Sequence, residues 1–249
     1  MSERRARRAR RAGRTPSQHF IRSQRLAAEI VRDADVRPRD VVLDLGAGSG
    51  RLTAELAGVA KRVVAVELDA HWAEYLRERW PNVEVRQDDA ASVALPSERF
   101  CVVANLPFDR TTAILRHLLD DPHVPLRRAD VIVEWGVAVK RAIPWPSTLH
   151  GVLWGAWYTC GLTRRLPRNA FDPAPAVDAG VLTFQRRDQP LVPLQAWRDY
   201  RGFVAAGFRH GLRRSVPRGQ LHALRLPRAQ PRELDAHEWA RVFAVVRGG

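Results

Sequence analysis

The sequence contains very little lysine, cysteine and methionine, and it has no long apolar stretch. Only two of its 41 basic residues are lysines, Lys61 and Lys140, and there is a single methionine. The two cysteines, Cys101 and Cys160, stand 59 positions apart without a C-x-x-C pair, which excludes a disulfide scaffold and a zinc site built on paired cysteines. No apolar run reaches the roughly 18 residues that a membrane-spanning helix needs. We therefore expect a cytoplasmic protein without a membrane segment or a metal site.

Acidic residues are also scarce relative to basic ones. The chain has 27 acidic against 41 basic residues, which gives a net charge of +14. Residues 1–14 hold seven arginines and one glutamate with no periodic apolar face, so we expect a disordered arginine-rich arm of charge +6. The remaining +8 lies in the rest of the chain. A surplus of this size favours a nucleic acid as partner over the alternatives, a membrane surface or a simple effect on solubility.

Short apolar runs alternate with helical patterns along most of the chain. Predicted strands cover residues 41–45, 62–68, 83–86, 100–104, 130–135, 163–168 and 180–186. Predicted helices cover residues 23–33, 51–59, 70–79, 111–119, 197–208 and 233–246. This alternation predicts an α/β fold with a parallel sheet and right-handed crossovers. Because only helical patterns follow residue 187, we expect one α/β domain over residues 15–187 and a small helical domain over residues 188–249.

A glycine-rich turn follows the first predicted strand. Gly46, Gly48 and Gly50 have the spacing G-x-G-x-G, and glycines let the backbone turn tightly and approach a ligand closely. Ligands of parallel sheets bind at the carboxyl ends of the strands. The spacing differs from the dinucleotide-binding G-x-G-x-x-G, and no G-K-[ST] of a P-loop is present. The alternative interpretation is a strand-to-helix turn that binds no ligand.

Carboxylates follow the next two predicted strands. Glu67 stands 21 residues after Gly46, where a carboxylate can accept hydrogen bonds from both ribose hydroxyls of a bound nucleoside. Asp89 closes the segment Gln87-Asp88-Asp89 and can accept a hydrogen bond from an adenine amino group. The alternatives are a solvated glutamate at a strand end and an acidic surface turn.

The segment Asn105-Leu106-Pro107-Phe108 at the end of the fourth strand is the most informative motif. The exocyclic nitrogen of adenine is a poor nucleophile, because its lone pair is delocalised into the ring. The side-chain oxygen of Asn105 and a neighbouring backbone carbonyl can accept its two N–H groups and free that lone pair. Phe108 offers a ring on which an extruded base can stack. The alternative is an Asx turn followed by a core phenylalanine.

In this order the motifs resemble the ribosomal RNA adenine-N6 methyltransferases, which include the erythromycin-resistance (Erm) enzymes and the small-subunit dimethyladenosine transferases. The resemblance covers about residues 17–187. Six segments carry it: Gln18–Ile21, Asp44–Gly50, Val66–Asp69, Gln87–Asp89, Asn105–Phe108 and Phe171–Asp178. Asp109-Arg110 and Glu134-Trp135-Gly136 resemble the Erm branch in particular. The resemblance implies a Rossmann-like, S-adenosylmethionine-dependent methyltransferase sheet with a small C-terminal helical domain that binds RNA.

The resemblance also implies roles for individual residues. The expected cofactor-binding residues are Gln18, His19, Ile21, Gly46, Gly48, Glu67, Leu68, Asp89 and Asn105. The expected catalytic residues, which hold the target adenine, are Asn105, Leu106 and Phe108. Substrate-binding roles are expected for Phe108, Phe171 and Arg110. Two positions depart from the commoner family pattern, since His19 replaces an asparagine and Phe108 a tyrosine.

The implied reaction is methyl transfer from S-adenosylmethionine to N6 of an adenine in 23S ribosomal RNA, with resistance to macrolide, lincosamide and streptogramin B antibiotics. We expect a monomer that acts on naked RNA or on an assembly intermediate. Two alternatives are a small-subunit (16S) dimethyltransferase, which Asp109-Arg110 disfavours, and a non-catalytic RNA-binding protein, which the intact Asn105 and Glu67 disfavour. A dehydrogenase is weaker still, because the glycine spacing does not match.

Overall fold

The structure is a computed structural model that describes residues 18–144, 147–226 and 229–248. The expected arginine-rich arm, residues 1–14, lies outside these ranges. The strands within them are β1 (Phe20–Ile21), β2 (Val41–Leu45), β3 (Arg62–Glu67), β4 (Glu84–Gln87), β5 (Phe100–Asn105), β6 (Leu126–Glu134), β7 (Tyr158–Leu166), β8 (Phe171–Asp172) and β9 (Ala179–Arg186). The helices are α1 (Gln24–Asp33), α2 (Arg51–Ala57), α3 (Ala70–Arg79), α4 (Thr111–Leu119), α5 (Trp135–Ala142), α6 (Leu149–Gly155), α7 (Trp197–His210), α8 (Leu212–Ser215), α9 (Arg218–Ala223) and α10 (Ala236–Gly248).

Seven strands form one sheet in the order β4-β3-β2-β5-β6-β9-β7. Neighbouring strands from β4 to β6 run parallel, whereas β9 is antiparallel to both β6 and β7. Strands β1 and β8 form a separate antiparallel pair, in which Ile21 lies opposite Phe171. The predicted α/β fold with a parallel sheet is confirmed. Its topology brings the carboxyl ends of β2 to β6 to one edge of the sheet.

Alternate residues of the central strands supply two buried layers, because successive side chains of a strand point to opposite faces. Val42 packs with α1, α2 and α3 on one face of the sheet. Leu43 belongs to the layer on the other face, which also contains buried side chains of α4, α6, α7 and α10. Tyr200 of α7 and Trp239 of α10, both 0% exposed, lie in that layer. The helices after residue 187 therefore share a continuous core with the sheet.

Local capping explains where two of the helices next to the sheet edge begin. The Ser23 hydroxyl accepts the Leu26 N–H at 3.3 Å and starts α1. The Asp69 carboxylate accepts the N–H groups of His71 and Trp72 at 2.8 and 3.3 Å, and it starts α3 directly after β3. Such side-chain caps satisfy N–H groups that have no partner inside the helix. Within the described ranges no helix has the length and apolar content needed to cross a membrane.

The observed bounds differ from the prediction mainly around β6. This strand begins at Leu126, four residues before the predicted start. The prediction missed these residues because Arg127, a charged residue, is buried inside the strand. The Arg127 guanidinium donates to Asp40 Oδ2 at 2.7 Å and to the Asp35 carbonyl at 3.0 Å. Strand β7 also begins earlier than predicted. Helices α5 and α6, which follow β6, were not predicted.

Candidate active site

The turn after β2 is shaped by glycines that a larger residue could not replace. Gly48 has a positive φ of 52°, and a Cβ added to it would lie 2.5 Å from a ring carbon of Phe20. A Cβ on Gly46, whose φ is 73°, would lie 3.0 Å from Pro107 Cδ. The turn thus packs directly against β1 and against the segment that follows β5. This close packing leaves its backbone facing the carboxyl edge of the sheet.

Glu67 is fixed at the end of β3 by backbone donors on both of its oxygens. The Gly48 N–H donates to Oε2 at 2.7 Å, and the Asp69 N–H donates to Oε1 at 2.9 Å. Only 5% of Glu67 is exposed, and this burial raises the pKa of its carboxyl group. The carboxylate therefore links the glycine turn to the start of α3 and keeps one orientation.

Asn105 ends β5 and has one satisfied and one free polar atom. Its Nδ2 donates to the His19 carbonyl at 2.7 Å, while Oδ1 is buried without a hydrogen-bond partner among the residues that the structure describes. The next residue is also fixed, because the Leu106 N–H donates to the Ile132 carbonyl at 3.1 Å. Buried acceptors almost always have a partner. The free oxygen of Asn105 is thus available to a ligand.

Two rings lie beside this asparagine. His19 Nδ1 is 2.9 Å from the Pro173 carbonyl, and its ring centroid is 5.4 Å from that of Phe108 at an angle of 44°. Phe108 is half-buried. An aromatic face next to a free acceptor can take a planar base by stacking and hydrogen bonding together.

Asp89 and Arg110 form an ion pair between the segments that follow β4 and β5. The Arg110 Nη2 donates to Asp89 Oδ2, and the Ala91 N–H donates to Asp89 Oδ1 at 2.9 Å. The pair connects the exit of β4 to the start of α4. Both side chains are partly exposed, at 50% for Arg110 and 35% for Asp89.

These groups surround one cavity of about 940 Å³. The predicted site residues that line it are Gln18, His19, Gly46, Gly48, Glu67, Leu68, Asp89, Asn105, Leu106, Phe108 and Arg110. Ile21 and Phe171 do not line it, since they are buried and face each other across β1 and β8. Phe20, Asp69 and Glu134 line the cavity but were not singled out as site residues. Each lies in a segment that carried the family resemblance, so the motifs could have identified them.

The sheet and its cavity have the organisation of Rossmann-like methyltransferases, which take the methyl group from a nucleoside cofactor. A family model described as "Ribosomal RNA adenine dimethylase" matches residues 11–216. The rRNA adenine N-6-methyltransferase of Corynebacterium diphtheriae is 34% identical over 194 residues, which cover 77% of this chain and 75% of the relative. An enzyme of the same description from Bacillus licheniformis is 32% identical, and the match spans 70% of this chain and 62% of that relative.

Two further similar proteins have more specific descriptions. The mycinamicin-resistance protein MyrB of Micromonospora griseorubida is 33% identical over 233 residues, which cover 88% of this chain and 73% of MyrB. The crystal structure of the 23S rRNA methyltransferase ErmE superposes with a TM-score of 0.80 at 28% identity, covering 92% of this chain and 99% of ErmE. The chain belongs to the ribosomal RNA adenine dimethylase family. It is an S-adenosylmethionine-dependent rRNA adenine-N6-methyltransferase, and the sequence-based predictions of the family, the cofactor and the enzyme class are confirmed.

The cavity fits S-adenosylmethionine. A Cβ at position 46 would press on Pro107, so only glycine leaves the backbone of the turn open to a ligand. Gln18 Oε1 and Asn105 Oδ1 are buried acceptors without a partner in the described part of the chain. The cofactor is a cation with hydroxyl and amino donors, and the lining is rich in carboxylates and other acceptors. Among the described residues no group of histidine, cysteine or acidic side chains could hold a metal ion.

Proposed function

We propose that this chain methylates N6 of an adenine in 23S ribosomal RNA and thereby confers resistance to macrolide, lincosamide and streptogramin B antibiotics. The descriptions of ErmE as a 23S rRNA methyltransferase and of MyrB as a mycinamicin-resistance protein support this target. The Erm-like residues Asp109 and Arg110 support it as well. We further propose that the chain acts in the cytoplasm as a monomer, on naked ribosomal RNA or on an assembly intermediate.

The free oxygen of Asn105 is the observation that carries the proposal. In our mechanism Oδ1 accepts one N–H of the target adenine, and the Leu106 carbonyl accepts the other. These two bonds draw the nitrogen toward a tetrahedral form, in which its lone pair is available for attack. The bond from Asn105 Nδ2 to the His19 carbonyl keeps the amide from flipping, so that Oδ1 stays the acceptor. Phe108 stacks on the extruded base.

The cofactor is held in this proposal by residues along the same edge of the sheet. Glu67 accepts hydrogen bonds from the ribose hydroxyls with the lone pairs that Gly48 and Asp69 leave free. Asp89 accepts a bond from the adenine amino group, and Arg110 fixes the orientation of that carboxylate. When bound, S-adenosylmethionine supplies a methyl group that its sulfonium charge has already activated. Accurate positioning is then the main task of the protein.

RNA binding is assigned in this proposal to basic surfaces outside the cavity, including the arginines of residues 188–249. A second cavity of about 300 Å³ supports this assignment, because Lys140, Arg141 and Arg187 line it together with a single carboxylate, Asp235, among its described residues. The Arg141 guanidinium lies 5.1 Å from the ring centroid of Trp154, and its Nε is buried without a partner in the described part of the chain. A phosphate group of the RNA backbone would supply the missing acceptor.

Primer extension on ribosomal RNA tests the proposed target. The chain and its Asn105→Ala variant are expressed in a macrolide-sensitive bacterium, and both ribosomal RNAs are copied. We expect a stop at one adenine of 23S RNA together with macrolide resistance for the wild type, and neither for the variant. Mass spectrometry of the excised fragment counts the methyl groups.

The remaining outcomes of this experiment identify the alternatives. A stop in 16S RNA alone would favour a small-subunit dimethyltransferase. If neither RNA shows a stop or a methyl group, and calorimetry detects no binding of S-adenosylmethionine, a non-catalytic RNA-binding protein is favoured instead.

A further inference from the structure

Glu134 is a carboxylate of the active-site cavity that the mechanism above does not use. It is the last residue of β6, it is half-buried, and it lines the same cavity as Asn105, Leu106 and Phe108. Its side chain has no hydrogen bond or ion pair with any residue in the described ranges. It precedes α5, but it makes no capping hydrogen bond with that helix. Its carboxylate is therefore free to contact a ligand in the cavity.

The strand register puts Glu134 on the target side of the cavity. Asn105 pairs with Ile132 on the neighbouring parallel strand, and the Leu106 N–H donates to the Ile132 carbonyl at 3.1 Å. Glu134 follows Ile132 by two residues. Strand geometry separates the Cα atoms of Asn105 and Glu134 by about 8 Å, given a strand spacing of ~4.8 Å and a rise of ~3.3 Å per residue. A glutamate side chain can reach across much of this distance.

The other cavity carboxylates are already engaged or exposed. Glu67 and Asp69 accept backbone N–H groups, and Asp89 accepts both a backbone N–H and the Arg110 guanidinium. Asp88 and Asp109 are exposed, so water screens their charges. Among the described lining residues, Glu134 is thus the half-buried carboxylate whose charge no partner compensates.

The nearest basic residue on β7 is also committed elsewhere. The Arg165 guanidinium stacks on Trp135, next to Glu134, with 4.7 Å from its carbon to the ring centroid. Its charge is paired with Asp178 at 2.8 Å. An unpaired negative charge at this place weakens the binding of an anionic RNA, although the chain as a whole carries a net charge of +14. Such a cost points to a gain in the chemical step.

We propose that Glu134 is a catalytic residue, which stabilises the positive charge arriving on the target adenine and accepts the proton that its nitrogen releases. The N6 lone pair forms the bond to the methyl carbon as the methyl–sulfur bond breaks, and the electron pair of that bond stays on the sulfur. The positive charge therefore passes from sulfur to N6. The nitrogen then loses one proton, which the Glu134 carboxylate receives and releases to water.

A carboxylate in this position also distinguishes the two forms of the cofactor. S-adenosylmethionine carries the sulfonium charge, whereas the product S-adenosylhomocysteine does not. Glu134 therefore favours binding of the methyl donor over binding of the product. This second effect can be measured without RNA and without turnover, so it does not depend on the identity of the RNA target.

The test compares Glu134→Gln, which keeps the shape and removes the charge, with Glu134→Asp, which keeps the charge. Glu78→Gln on the exposed side of α3 is the control for net charge. In calorimetry without RNA, we expect Glu134→Gln to bind S-adenosylmethionine about 3- to 30-fold more weakly, the range for one charge several ångströms away, with unchanged affinity for S-adenosylhomocysteine. Glu134→Asp should keep most of the preference for the charged form, and Glu78→Gln should equal the wild type.

Single-turnover methylation with both ligands saturating tests the chemical step. We expect Glu134→Gln to react about 10- to 100-fold more slowly, with RNA affinity unchanged or tighter, because a repulsive charge has been removed. A single-turnover rate within threefold of the wild type overturns the proposal. Equal loss of affinity for both forms of the cofactor in Glu134→Gln and Glu134→Asp also overturns it, because that pattern indicates a structural role.

Discussion

Asp44 is a carboxylate enclosed in the buried strand β2, with 1% of its surface exposed. Burial raises its pKa to about 7, although the Thr53 hydroxyl donates to Oδ2 at 2.6 Å and favours the charged form. The negative charge of Glu67 raises the pKa further. In the unfolded chain an aspartate titrates near pH ~4. The contribution of neutral Asp44 to the free energy of unfolding is therefore fully present below about pH 4, and it is lost as the pH rises to about 7.

Asp44→Asn should consequently stabilise the protein more at high pH than at low pH. The raised pKa corresponds to a loss of about 2–4 kcal/mol in the free energy of unfolding at high pH. A neutral amide at this position does not ionise, so the variant avoids this loss. We expect the melting temperature of the variant, relative to the wild type, to rise between pH 4.5 and pH 8.5. A difference that stays constant over this range would contradict the assignment. Thr53→Val is the control. Loss of the hydroxyl that favours the charged form of Asp44 should make the melting temperature depend on pH more strongly than in the wild type.

Variants of Asn105 and Phe108 should distinguish the chemical step from binding of the target base. Asn105 acts on the nitrogen in a form that is reached near the transition state, so Asn105→Ala should lower kcat about 10²- to 10³-fold with little change in KM for RNA. Phe108→Ala should lose about 1–3 kcal/mol of stacking, while Phe108→Tyr should keep most of the activity. The measurement is single-turnover methylation of a short 23S RNA hairpin at saturating cofactor.

Two results would each contradict the role proposed for one of these residues. If Asn105→Ala methylates within threefold of the wild type, the adenine-N6 mechanism built on its oxygen is wrong. Equal activities of Phe108→Ala and Phe108→Tyr would mean that the ring only packs against His19. Melting temperatures of all variants are needed, because Asn105 also holds the His19 carbonyl.

The turn between β2 and α2 is an element whose shape depends on glycine at a defined position. Gly48→Ala forces a left-handed conformation on alanine at about 1–2 kcal/mol and brings its Cβ to within 2.5 Å of the Phe20 ring. We expect lower stability and a loss of affinity for S-adenosylmethionine, because Phe20 lines the same cavity. Gly58→Ala, at the other end of α2, is the matched control.

Gly58 has a φ of −83°, and the nearest atom to an added Cβ is the Glu55 carbonyl oxygen at 3.5 Å. Its replacement by alanine should leave cofactor affinity unchanged and raise stability by about 0.4–1 kcal/mol, the usual gain where alanine fits the backbone. Thermal melts and calorimetry of both variants make the comparison. Similar behaviour of the two variants would show that the turn tolerates a side chain at position 48.

Elements with a regular apolar pattern were predictable from the sequence. Strand β2 and helices α3 and α4 have the predicted bounds, because their buried apolar residues recur with the spacing of a buried strand or of one helix face. The start of β6 was missed because Arg127 reads as a surface residue, and its burial depends on tertiary partners, the Asp40 carboxylate and the Asp35 carbonyl. Helix α5 begins with Trp135-Gly136, and glycine near a helix start gives no helical signal.

The candidate site was predictable to the extent that motifs at strand ends converge. Parallel strands bring Gly48, Glu67, Asp89 and Asn105 to one edge of the sheet whatever the loop lengths are. The close approach of the Phe20 ring to Gly48 was not predictable, since it depends on β1 pairing with β8, which lies 150 residues further along the chain. In the same pairing Phe171 is buried and does not line the cavity, although the family resemblance implied a role for it in the base pocket.

At the scale of the whole molecule, a basic chain has an active-site cavity lined mainly by carboxylates. The chain carries a net +14, yet the described lining of the active-site cavity contains six carboxylates and one arginine. In the proposed function the acidic cavity attracts the cationic cofactor, and basic residues outside it attract RNA. The two ligands therefore respond differently to salt, because screening weakens a multivalent contact with a polyanion far more than binding of one small cation.

RNA affinity should accordingly fall steeply with salt, while cofactor affinity should change little. If the protein contacts about 6–10 phosphates, RNA affinity should fall about 10³- to 10⁵-fold between 50 and 200 mM salt, by analogy with duplex DNA. Each phosphate contact that is removed should make the slope shallower by nearly one unit. Deletion of residues 1–14 should lower the slope by several units, and Arg141→Gln by about one, with unchanged binding of S-adenosylmethionine.

Filter binding of a 23S RNA hairpin over a salt series, with calorimetry of the cofactor, measures both quantities. A flat slope for the full chain would show that its positive charge does not serve RNA binding, and a slope that Arg141→Gln leaves unchanged would remove the second cavity from the RNA path.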